Sequence, residues 1–153
     1  MLIPRLYDYY QAVDDSKTGK ATSEDVLDFF SYNMVEYVHQ GYGGTKTMTS
    51  RLEVLDFLKQ EIFCGVGQHN VTNVRVLGNV TMNKGVEYAT IRVEGVPRSV
   101  QIVFSTRIEW HKVDDGSVDE EDGKEYETLM WKIQRMHTTT TRIYLDSPGT
   151  VIL

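Results

Sequence analysis

Apolar residues recur at helical spacing in the first third of the chain and alternate with polar ones over most of the sequence after Gly65. Leu6, Tyr9, Tyr10 and Val13 mark a first helix from about Pro4 to Asp14, with Pro4 suited to its first turn. Asp15 to Ala21 is a polar connector. A second helix opens near Thr22 and Ser23, with Glu24 and Asp25 placed to complement its positive end. Val26, Phe29, Phe30 and Met34 form its buried stripe. A short strand over Val35 to His39 leads into the turn Gly41–Tyr42–Gly43–Gly44, and Thr45 to Met48 form a return strand. Ser50–Arg51–Leu52–Glu53 is a capping box opening a third helix, whose apolar face reads Leu52, Leu55, Leu58 and Ile62.

Strand patterns fill the rest. His69 to Met82 is one stretch bent at Gly78, and Asn83–Lys84–Gly85 turns it into Val86 to Glu94. Gly95–Val96–Pro97 turns again into Ser99 to Val113, and a last strand runs from Tyr126 to Leu145. Helices first and long strands second predict an α+β domain, three N-terminal helices packed on a strongly bent antiparallel sheet of about five or six strands. Such a cone encloses a cavity. Trp131, Ile133, Ile143 and Tyr144 read as an open apolar face of the last hairpin, which predicts a homodimer through the outer sheet face.

Composition narrows the class without naming a function. A chain of 153 residues, 41% apolar and 25% charged, reads as one domain over residues 1–153. Its net charge of −6 and scattered Lys and Arg argue against nucleic acid. No apolar run approaches the roughly 20 residues of a membrane helix, and the N-terminus lacks a signal-peptide core. Cys64, the one cysteine, has no basic or metal-ligating neighbour and reads as a small buried hydrophobe. A reducing, cytoplasmic setting is expected. The acidic run from Asp114 to Asp122 lacks the spacing of a calcium loop and reads as a solvated hairpin tip.

No nucleotide-binding, nucleophile-elbow or zinc-spaced motif is present. The candidate chemistry is a dispersed set of ionisable residues: His39, Glu109, His111 and His137, with Tyr9 and Tyr37 as hydrogen-bond donors. Strand alternation places Ile108, Trp110 and Lys112 on one face and Arg107, Glu109 and His111 on the other. If the apolar set faces the core, Glu109 and His111 face solvent or a partner subunit. His39 sits before a Gly-rich turn, where it either lines the cavity or hydrogen-bonds backbone. His137 reads as a surface, interface or ligand-binding position, and His69 as exposed. Tyrosine-rich sequence in the first third, with Phe30 and Phe57, gives an amphipathic lining for a small apolar ligand or ordinary core packing.

Asp25–Val26–Leu27–Asp28–Phe29–Phe30, Val35 to Gly41, Ser50 to Leu58 and Ile108 to Gly116 together resemble the nuclear transport factor 2-like superfamily. That superfamily has a cystatin-like cone and includes ketosteroid isomerases, SnoaL-like polyketide cyclases and the association domain of calmodulin-dependent kinase. Against ketosteroid isomerase, the resemblance implies that Tyr9 and Glu109 stabilise an enolate while His39 moves a proton. It implies no metal and no organic cofactor. The function expected is an isomerase, cyclase or dehydratase acting on an apolar, polycyclic ligand. The alternative is a non-catalytic binding or oligomerisation module, to which Val96 to Gln101 and Thr106–Arg107 are similar.

Overall fold

The computed structural model describes residues 2–41, 44–60, 66–113 and 130–145. Helices α1 (Leu2–Thr18) and α2 (Ser23–Leu27) precede strands β1 (Glu36–Gly41) and β2 (Gly44–Met48). Helix α3 (Arg51–Leu58) comes next, then strands β3 (Val66–Leu77), β4 (Val80–Val93), β5 (Val96–Lys112) and β6 (Trp131–Tyr144). The strands form one open six-stranded sheet in the order β2-β1-β6-β5-β4-β3. All neighbours are antiparallel except β1 and β6, which run parallel. The expected all-antiparallel sheet is therefore mixed. The long connection from β1 through α3 and four strands permits that pairing, which a short turn could not make.

Leu2, Leu6, Tyr9 and Tyr10 bury one face of α1 at helical spacing. The helix runs past the expected Asp14 to Thr18. It stops at Gly19, in the left-handed region at φ 82°, where the Lys20 amide donates to the Asp15 carbonyl as in a Schellman cap. Thr22 and Asp25 form a complete capping box on α2, yet that helix ends at Leu27 and not near Met34. Beyond it the backbone pairs with β6. Ile133 donates to the Phe29 carbonyl, while Ser31 and Val35 donate to the carbonyls of Ile133 and Gln134. Phe29, in the turn that follows α2, and Phe30, in an isolated bridge to Ile133, are thereby buried in the core.

Helix α3 starts at Ser50 as expected, its hydroxyl accepting from the Glu53 amide. Its buried face is Val54 and Phe57, while Leu52 is 67% exposed. The stripe is rotated from the expected Leu52–Leu55–Leu58 line because α3 packs on α2 and β2, turning Phe57 against Tyr37. Ile62, Cys64 and the acidic run from Asp114 lie outside the described residues.

The turn between β3 and β4 falls at Gly78–Asn79, with Gly78 at φ 60°, and not at residues 83–85, which continue β4. Gly85 serves close approach instead: a Cβ there would collide with the Phe104 ring and the Asn70 carbonyl. Glu94 and Gly95, both at positive φ, form the two-residue β4–β5 turn. A register shift between Glu109 and Trp110 leaves Gln134 of β6 without a direct partner on β5. The bulge reverses the alternation of β6. Ile133 is fully buried and Trp131 packs on the core, whereas Ile143 faces out and is 41% exposed. Tyr144 packs beside Ala89, Ile91 and Val100. The expected four-residue open face is thus split between the two sides of the sheet.

Candidate functional site

Strand register places the inward side chains in cross-strand rows. Lys46, His39, Thr138, Thr106 and Asn83 lie side by side across β2, β1, β6, β5 and β4. Farther along, Arg142, Ile102, Glu87 and His69 form a row across β6, β5, β4 and β3. The curved sheet, α1 and α3 enclose a cavity of about 270 Å³ over these rows. Its lining includes Tyr9, Tyr10, Tyr37, His39, Phe57, His69, Phe104, Met136 and Arg142.

Hydroxyls run along the cavity floor. Tyr10 donates to Thr106 Oγ1 at 3.0 Å and accepts from Asn83 Nδ2 at 3.3 Å. The Thr106 and Thr138 hydroxyls lie 3.4 Å apart. Burial raises the Tyr9, Tyr10 and Tyr37 phenols above their ordinary pKa, with Thr138 opposing the effect at Tyr37 by a hydrogen bond. All three therefore stay neutral donors at physiological pH. The Tyr9 hydroxyl has no hydrogen-bond partner among the described residues. His39 is shifted the other way: burial first, then the Arg142 charge, lowers its pKa and keeps the imidazole neutral.

The opposite wall carries a charged cluster. His69 Nδ1 lies 2.5 Å from Asp14 Oδ1, and its Nε2 lies 3.1 Å from Glu87 Oε2. The His69 amide also donates to Asp14 Oδ2 at 2.9 Å. Lys17 Nζ closes the cluster on Glu87 Oε1 at 2.5 Å. Each ring nitrogen faces a carboxylate, the arrangement in which an imidazolium satisfies both its donors. Asp14, His69 and Glu87 present donor atoms within 4.8 Å of one another, a spacing that also suits a metal ion. However, the carboxylates occupy opposite edges of the ring, so one ion cannot take all three ligands in this ring orientation. The cluster fits a proton relay better than a metal centre.

No protein-family model matches the sequence, and no curated protein sequence matches it either. Solved structures do match. One is an NTF2-like protein with a cystatin-like fold from Novosphingobium aromaticivorans, at TM-score 0.52 and 15% identity, covering 97% of this chain and 83% of that one. A candidate scytalone dehydratase from the same species matches at TM-score 0.60 and 16% identity, over 95% and 85% of the two chains. A candidate SnoaL-like polyketide cyclase from Shewanella putrefaciens matches at TM-score 0.61 and 10% identity, over 90% and 87%. The chain has the nuclear transport factor 2-like fold. At these identities the likeness is one of fold, and no chemistry transfers with it.

Within this cone, Tyr9, Tyr37, His39 and Phe57 line one cavity. Phe30 lies behind the wall, its ring stacked on Tyr37 at 5.9 Å. Glu109, His111 and His137 are on the outer face, because the apolar set Ile108 and Trp110 turns inward. Glu109 pairs there with Arg135 at 3.8 Å, and His137 Nε2 meets Gln40 Oε1 at 2.9 Å. These three cannot reach the cavity, so the enolate-stabilising role implied for Glu109 has no place in this geometry. The cluster of Asp14, Lys17, His69 and Glu87 carried no sequence signal. Asp14 and Lys17 share a face of α1 only once that helix extends past Asp14, and His69 meets Glu87 only through the β3–β4 register.

Proposed function

We propose that the protein is a cofactor-independent enzyme that moves protons on a small, largely apolar molecule held in the cone, as an isomerase, cyclase or dehydratase does. One observation carries this reading: a single cavity faces a neutral His39 and the Tyr9 phenol on one side and the Asp14–His69–Glu87 cluster on the other. His39 takes a proton from carbon, and the Tyr9 phenol donates to the oxygen on which negative charge develops. His69, positioned by Asp14 and Glu87, returns a proton from the opposite wall. Solved neighbours described as a dehydratase and a cyclase support the reaction class.

The test is exchange of the acidic C–H hydrogens of 2-tetralone in D2O, monitored by proton NMR. The protein should accelerate exchange above the buffer rate, and His39→Ala should abolish the acceleration with little change in thermal midpoint. Tyr9→Phe should lower it by about 10²–10³-fold, the loss typical of one oxyanion donor. Binding of 2-tetralone without accelerated exchange would leave the non-catalytic binding module as the correct reading.

A further inference from the structure

Charge is unevenly placed around the cavity. Lys46 pairs directly across from His39, and Arg142, after Thr140 on the inward face of β6, is near enough for its charge to act on the His39 ring, so both cations stand on the His39 side of the cavity. The Lys46 ammonium lies 5.3 Å from the Phe57 ring centroid. Among the described residues the one acid lining the cavity is Glu87, on β4 beyond β5, and it is engaged by Lys17 and His69. This cationic side belongs to a chain of net charge −6, a local reversal of sign in a concave site whose walls focus the field.

We propose, building on the proton-transfer reading, that the ligand is an apolar small molecule carrying a carboxylate, which Arg142 and Lys46 hold on this side of the cavity. The planar guanidinium fork matches a carboxylate in two parallel hydrogen bonds, and its five N–H donors allow that contact alongside any it already makes. Phe57, Ile102 and Met136 supply apolar wall for the body of the molecule. The carboxylate would sit beside His39. The Arg142 charge contributes to holding that imidazole neutral, so an anion placed on Arg142 offsets part of the effect and raises the His39 pKa. Binding and protonation are therefore coupled, and the coupling can be read without turnover.

The probes are 2-naphthoate and its neutral isostere 2-naphthamide, compared by titration calorimetry. The wild type should bind the carboxylate about tenfold more tightly, the effect of one charge-assisted hydrogen bond retained net of desolvation. Arg142→Gln should bring the two affinities together while keeping that for the amide, which also shows that the variant is folded. Lys46→Gln, at an exposed position, should reduce the preference by a smaller factor. The His39 ring resonance should titrate at higher pH with 2-naphthoate bound and unchanged with 2-naphthamide. Equal affinities in the wild type, a preference surviving in Arg142→Gln, or no binding of 2-naphthoate would each overturn carboxylate recognition. None of these bears on 2-tetralone exchange, so the two readings fail separately.

Discussion

Glu87→Leu probes the most heavily charged part of the interior. The Lys17 and Glu87 side chains are 9% and 5% exposed, and their charged atoms lie 2.5 Å apart. Removing one member of a buried ion pair typically destabilises by about 3–5 kcal/mol, because the other charge stays behind without compensation. Lys17 lies in the last turn of α1, where its four-carbon stem can carry the ammonium toward water, which favours the lower end, about 3 kcal/mol. His69 Nε2 also loses a partner, adding about 1 kcal/mol. The opposite single change, Lys17→Met, leaves Glu87 held by His69 alone and should cost about 2 kcal/mol. The double variant Lys17→Met/Glu87→Leu buries an apolar pair of similar volume, so its loss should fall short of the summed single losses by about 1.5–3 kcal/mol. Urea unfolding at pH 7, monitored by tryptophan fluorescence and circular dichroism, gives all three values. Losses that add to within about 0.5 kcal/mol would show that the two charges do not interact, and the relay built on them would fall.

The sheet and His39 each supply a further prediction. The outer face carries Val86 beside Val103, with Tyr88, Val103 and Ile143 more than a third exposed, so we expect a homodimer through this face; sedimentation equilibrium should show Val103→Asp as a monomer, and a monomeric wild type at micromolar concentration would refute the assignment. His39 has a folded-state pKa below its ordinary value of 6.5, so the unfolded chain binds its proton first: the stability this group confers is complete above about pH 6.5 and is lost as pH falls toward the lower folded value. The unfolding midpoint of His39→Gln should therefore fall less than that of the wild type across this window, and parallel profiles would place His39 in open solvent.

The elements legible in the sequence were those specified locally. Ser50 announces α3 by a cap that needs only Glu53, and the strand from Ser99 emerges from alternation alone. The errors arose where long-range pairing overrode a local signal. Phe29 and Phe30 have helical spacing, but hydrogen bonds to β6 and burial against the sheet end the helix before them and hold them in a turn and an isolated bridge. Asn83–Lys84–Gly85 has turn composition, yet Gly85 is demanded by the Phe104 ring on the neighbouring strand. The extra residue at Gln134 reversed the inward and outward sets on one side of the bulge, which no period-2 reading of an isolated strand can anticipate.

Half of the candidate site shares this origin. His39 and Tyr9 were identifiable because each lies in an N-terminal element with one buried side. His69 was not, because its neighbours come from α1 and β4, 55 residues earlier and 18 residues later in the chain. Two histidines of equal intrinsic basicity thus face one cavity in opposite company. One is beside cations and apolar walls, and the other is between two carboxylates. The difference between the two settings resides in strand register more than in either residue type. A change that shifted β3 against β4 by two residues would keep every inward side chain inward and still part His69 from Glu87. The cavity would survive, and the proton carrier proposed for its second wall would not.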